Sequence, residues 1–151
     1  MENKALLPKW FREFPGVEWI VISGQKLPVL DDKYRVTLDV KGERLTGSAP
    51  ELAAYELLSA VPGTLSFNHA AELFQGLVNL NPRKVEYLLS VSQSVQTKRL
   101  YLFSASFYEH GWLRRIDSQK IDLGAGKRQI VVNGKFNAQY QITVPERFQK
   151  E

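Results

Sequence analysis

The stretch Thr97-Lys98-Arg99-Leu100-Tyr101-Leu102-Phe103-Ser104-Ala105-Ser106-Phe107-Tyr108 decides how the rest of the chain is read. Two periods compete in it. Leu100, Leu102 and Ser104 alternate as they would in a strand, whereas Leu100, Phe103 and Phe107 recur as they would on one face of a helix. Length favours the helix, because strands this long are uncommon. Gly111 stands where a helix-ending glycine belongs. The spacing therefore predicts a helix with Leu100, Phe103 and Phe107 inward, a turn at His110-Gly111, and then Trp112-Leu113-Arg114-Arg115.

Working outward, three shorter helices precede it. Ser48-Ala49-Pro50-Glu51 has the form of a capping box, with Ala54, Leu57, Leu58 and Val61 on the inner face behind it. Ser66 caps the next helix, where Phe67, Ala70, Ala71, Phe74 and Leu77 keep helical spacing. Asn81-Pro82 starts a third, with Val85, Leu88, Leu89 and Ser92 inward. Upstream of these, Pro8 to Phe14 reads as a short helix stopped by Pro15-Gly16, and Val17 to Ile22 as a strand. Tyr34 to Val40 alternates, Lys41-Gly42 turns, and Glu43 to Thr46 returns as a hairpin. Downstream, Lys127 to Val132 and Gln139 to Val144 read as strands joined through Asn133-Gly134, the favoured two-residue hairpin turn. The expectation is one α+β domain over 1–151. It has N-terminal antiparallel strands (1–47), a central cluster of about four helices (48–116), and a C-terminal β-hairpin (117–151) that could join the first sheet.

The chain has no cysteine, so disulfides, thiolate metal sites and cysteine nucleophiles are excluded. No signal-peptide pattern and no apolar run of membrane length occurs, which predicts a cytoplasmic protein without a membrane partner. Charge is uneven. Residues 1–93 hold 10 Lys/Arg against 11 Asp/Glu, and residues 94–151 hold 10 against 5. A basic C-terminal half suits a polyanion, and equally a solvated basic surface.

Enzyme chemistry finds little support, and no cofactor or metal is expected. His69 and His110 lack the partners of a zinc motif. Asp31-Asp32 suits a turn better than a catalytic pair. Leu123-Gly124-Ala125-Gly126-Lys127-Arg128 is glycine-rich, but Ile121 and Arg128 break the phosphate-loop pattern and Gln129 breaks the dinucleotide one. Two readings of this loop stand, a contact to a phosphate backbone or the turn before a strand. The remaining constellation is three basic pairs, Lys98-Arg99, Arg114-Arg115 and Lys127-Arg128. They are the candidate nucleic-acid-binding residues, with Trp112 either beside them as a stacking platform or in the core.

Several separate blocks resemble the C-terminal domain of the AbiEi-type antitoxins of type IV toxin–antitoxin systems. They are Ser48-Ala49-Pro50-Glu51-Leu52-Ala53, Leu80-Asn81-Pro82, Lys98-Arg99-Leu100, Trp112-Leu113-Arg114-Arg115-Ile116-Asp117, Ile121 to Arg128, and Tyr140-Gln141-Ile142-Thr143-Val144-Pro145. The resemblance spans roughly residues 44–146; residues 1–43 are similar only in pattern. It implies a non-enzymatic antitoxin and transcriptional regulator, opposing a nucleotidyltransferase-like toxin without a stable complex. It also implies a winged helix-turn-helix in front of this domain. No such pattern precedes residue 8, so the family's promoter-binding part is expected to be absent here. The alternative function is a protein-interaction module without DNA binding, in which Trp10, Trp19 or Trp112 sits on an exposed apolar patch.

Overall fold

The structure is a computed structural model that describes residues 27–149 together with Glu13, Pro15 and Gly16. Pro15-Gly16 forms a turn, as read from the sequence. The expected helix and strand on either side of it, and Trp10 and Trp19 with them, lie outside the described residues.

The described chain is α+β, running from a strand pair through four helices to a second small sheet. Strands β1 (Arg35–Val40) and β2 (Glu43–Ser48) pair antiparallel, with Leu38 opposite Leu45 and Val36 opposite Gly47. Lys41 and Gly42 both take positive φ, 52° and 82°, as the tight hairpin turn requires. Asp39 accepts a hydrogen bond from the Gly42 amide at 3.1 Å and closes the turn. Asp31 and Asp32 are exposed turn residues; Asp31 caps a single 3-10 turn by accepting from the Lys33 amide.

Four helices follow: α1 (Pro50–Ser59), α2 (Phe67–Gln75), α3 (Pro82–Val91) and α4 (Val95–Phe107). The predicted caps of α2 and α3 form. Ser66 accepts from the His69 amide, and Asn81 from the Arg83 and Lys84 amides. The capping box at α1 does not form. Ala49 is the N-cap and offers no side-chain oxygen, while Pro50 at the first position needs no amide partner. Ser48 instead donates to the Glu56 carboxylate at 2.9 Å. Glu51 turns inward, where its Oε1 accepts from the Asn81 amide at 3.0 Å and ties α1 to the start of α3.

Helix α4 exists as predicted but is not amphipathic in the structure. Every residue from Thr97 to Ala105 is buried. It packs against α1, α2 and β5, so no side faces water over that length. Ser94 caps it, three residues before the expected start. Its end is also different. Glu109, not Gly111, takes the left-handed conformation at φ 54°. The His110 amide then reaches the Ala105 carbonyl at 2.9 Å and the Glu109 amide the Ser106 carbonyl at 3.1 Å, a Schellman ending. Gly111 opens a 3-10 turn, Gly111–Arg115.

The C-terminal strands do not join the first sheet. Strands β3 (Arg128–Gln129), β4 (Lys135–Asn137) and β5 (Ile142–Val144) make a separate sheet in the order β3-β5-β4. Asn133 takes the predicted positive φ of 59°, but the strands it joins do not pair with each other. β5 lies between them, parallel to β3 and antiparallel to β4. Burial gives the reason: Ile142 and Val144 are the sheet's most deeply buried side chains, so β5 takes the centre. Thr143 continues the β3 pairing through its hydroxyl, which accepts from the Ile130 amide and donates to the Val131 carbonyl. Gly134 serves close approach: a Cβ there would meet Val131 and the Val144 carbonyl at 2.5 Å.

The core centres on α4. Tyr101 is fully buried and its hydroxyl donates to the Glu51 carbonyl at 3.0 Å. The Tyr55 and Ser92 hydroxyls meet at 2.6 Å and join α1 to the end of α3. Phe74, also fully buried, is surrounded by Tyr101, His110 and Trp112, with ring centroids 5.4, 5.3 and 6.3 Å away.

Candidate nucleic-acid interface

The three basic pairs have separate fates. Lys98 and Arg99 are buried, 4% and 2% exposed. A long cation is rarely buried unless its charge is met. Among the described residues neither forms an ion pair. Backbone carbonyls meet the charge instead. Lys98 Nζ donates to the Asp122 carbonyl at 2.7 Å. Arg99 Nε donates to the Leu123 carbonyl at 2.8 Å, and Nη1 to the carbonyls of Gly126 and, at 3.4 Å, Gln141. Burial, and then the neighbouring charge of Arg128, holds the Arg99 guanidinium below its usual pKa range.

These bonds explain the glycine stretch. A loop that turns its carbonyls inward onto two cations must curl tightly. Gly124 and Gly126 do so with φ of 67° and 81°, which other residues adopt only at a cost. Gly124 also lies against Val95, and a Cβ there would stand 3.0 Å from its methyl. The Asp122 carboxylate accepts from the Gly124 amide at 2.8 Å and braces the curl. The amides are thus not arrayed as a phosphate cradle; the carbonyls dominate the loop's inner side.

Lys127 and Arg128 are exposed at the outer end of that loop. Lys127 Nζ lies 5.0 Å from the centroid of the Phe136 ring. Arg114 and Arg115 are exposed at the end of the 3-10 turn that packs on α3 and α4. The structure thus brings Lys98 and Arg99 to the loop that carries Lys127 and Arg128, and sets Arg114 and Arg115 on a separate turn.

Trp112 is buried and is not a stacking platform. Its indole N–H donates to the Leu77 carbonyl at 3.1 Å, and His110 Nε2 meets the Gln75 carbonyl at the same distance. His110 thus occupies the carbonyl of the last residue of α2, one that a helix leaves unpaired, and Trp112 a carbonyl two residues beyond it. Burial pushes the His110 imidazole below its usual pKa, opposed by its bond to Gln75. His69 is exposed on α2. Among the described residues no group of histidines and acids could hold a metal ion, and no helix is long and apolar enough to cross a membrane.

The sequence does not single out Phe136, Asn137 or Phe148, and places Gln139 and Tyr140 in a strand without a role in a site. They line a cavity of about 370 Å³ against the second half of α4. Three separate segments contribute to it, so no local pattern announces it.

The family described as transcriptional regulator, AbiEi antitoxin, type IV toxin–antitoxin system matches residues 1–145. The match takes in the first 43 residues, which the sequence blocks alone tied to the family only by pattern. No curated protein and no solved structure matches the chain. With almost its whole length matched, the chain belongs to the AbiEi antitoxin family of type IV toxin–antitoxin regulators.

Proposed function

We propose that the chain is the antitoxin of a type IV pair, acting in the cytoplasm against a nucleotidyltransferase-like toxin without a lasting complex. It is not an enzyme in this reading. It adds sequence-independent DNA contacts through Arg114, Arg115, Lys127 and Arg128, while Lys98 and Arg99 act indirectly by fixing the loop that carries Lys127 and Arg128. The observation that carries the antitoxin role is the family match across residues 1–145. Support for the DNA contacts is the exposure of these four cations on two short, braced segments. The rival reading, an interaction patch built on tryptophan, loses Trp112, which is buried.

Coexpression with the toxin of the same operon tests the role. The chain should restore growth that the toxin alone arrests. A variant with Arg114, Arg115, Lys127 and Arg128 all changed to alanine should restore growth equally, because toxin neutralisation does not run through DNA contact. Growth arrest in cells that accumulate the folded wild-type chain would overturn the proposal.

A further inference from the structure

Two cavities share one wall. The larger, about 370 Å³, has the rings of Phe107, Phe136, Tyr140 and Phe148 around it. Its polar lining residues are Ser106, Asn137, Gln139, Tyr140 and Gln149. The smaller, about 160 Å³, is lined by Arg99, Leu123, Gly124 and the segment 139–141. Gln139 and Tyr140 line both. No carboxylate lines either one.

The smaller cavity has the makings of an anion site. Arg99 is almost wholly buried, and its Nε and Nη1 are committed to loop carbonyls. Its Nη2 makes no hydrogen bond, yet it is not among the sealed, unpartnered atoms of the protein. Arg99 lines the cavity, and Nη2 is the one nitrogen of its fork left for an occupant. The two N–H groups of a guanidinium nitrogen make charge-assisted hydrogen bonds to phosphate oxygens. An anion seated there would also relieve the repulsion between Arg99 and Arg128.

The larger cavity suits a flat, polar ring. Aromatic walls favour stacking, and amides supply both donors and acceptors for an edge. Asn137 Oδ1 accepts from the Tyr140 amide at 2.9 Å and Gln139 Nε2 donates to the Tyr140 hydroxyl at 3.3 Å, so the remaining donors and acceptors of these side chains are the ones an edge would meet. Two of the rings carry a cation: Lys127 lies over Phe136, and the Arg147 guanidinium lies 4.6 Å from the Phe148 centroid. The volume falls within the range of small-ligand pockets.

We propose that the paired cavities bind one nucleotide unit, with the base between the rings at Tyr140 and the phosphate at the free edge of Arg99. The unit comes either from a free nucleotide or from a single strand, whose bases are unpaired. A duplex, whose bases are stacked inside, does not fill the larger cavity. This site adjoins the duplex contacts proposed for the exposed cations, since Lys127 lies over the Phe136 ring.

Calorimetric titration of the full chain tests it, using the four nucleoside monophosphates, the matching nucleosides, inorganic phosphate, and an eight-residue thymidine oligonucleotide. At least one monophosphate or the oligonucleotide should bind about 10-fold tighter than both nucleoside and phosphate. Phe136→Ala removes a half-exposed ring, and its fold is checked by circular dichroism. It should weaken binding by about 10-fold, the size of one lost stacking contact. Arg99→Lys keeps the charge but not the fork, and should lower nucleotide affinity by a larger factor than nucleoside affinity, with the order of the 122–128 loop checked by amide exchange. Tighter binding of the oligonucleotide identifies a strand as the source; equal binding identifies the free nucleotide. The proposal fails if no nucleotide or oligonucleotide binds at millimolar concentration. It also fails if phosphate binds as well as the nucleotide, or if Phe136→Ala changes nothing.

Discussion

Phe74→Ala should cost about 3–5 kcal/mol of folding stability, the range for emptying a buried phenylalanine site. Phe74 has no exposure, and its ring is held between the stacked His110 imidazole (10° between planes) and the edges of Tyr101 and Trp112. Those three side chains cannot close the gap freely. Tyr101 is anchored to the Glu51 carbonyl, Trp112 to the Leu77 carbonyl and His110 to the Gln75 carbonyl. Collapse into the cavity would break bonds that fix α2, α4 and the turn after it. For a domain of this size the loss corresponds to a fall in Tm of about 6–20 °C. Denaturant titration measures it. A loss below about 1 kcal/mol would show that the aromatic cluster is not the centre of the core.

Arg99→Ala should cost about 3 kcal/mol or more, because it removes charge-assisted hydrogen bonds from the Leu123 and Gly126 carbonyls and leaves Gln141 with the Arg128 amide alone. The effect should be local as well as global. Without the guanidinium, nothing draws the Leu123 and Gly126 carbonyls inward, and the segment 122–128 should lose amide-exchange protection before the helices do. Arg99→Lys should fall between the two, since an ammonium keeps the charge but cannot fork between carbonyls. Wild-type stability and loop protection in Arg99→Ala would mean that the loop holds its shape without this side chain.

The pattern of what the sequence made legible follows the range of each interaction. Ser66 and Asn81 were readable as caps because their partners lie two or three residues away. The Lys41-Gly42 turn was readable for the same reason. The Ser48 capping box failed because a longer-range demand won: Glu51 is needed at the start of α3, 30 residues on. The order β3-β5-β4 was hidden because the Asn133-Gly134 signal is local, while the burial of Ile142 and Val144 is set by α4. The basic pairs look alike in sequence, yet only two are exposed. Lys98 and Arg99 find carbonyls 24 to 42 residues away, and nothing in their own neighbourhood forecasts that. A near-continuous apolar run after them, Leu100 to Phe103, was the one clue that the helix is enclosed on every side.

The division of the cations is the centre of the account: two hold a loop, and four are exposed and proposed to meet DNA. Fluorescence anisotropy with duplex DNA across a range of salt concentrations tests it most directly, comparing the wild-type chain with the variant carrying alanine at Arg114, Arg115, Lys127 and Arg128. The wild-type chain should bind at low salt with an affinity that falls steeply as salt rises, and the variant should lose about 3 to 4 from the log–log slope, as expected for four phosphate contacts. Absence of binding at low salt, or a slope that the four substitutions leave unchanged, would contradict it.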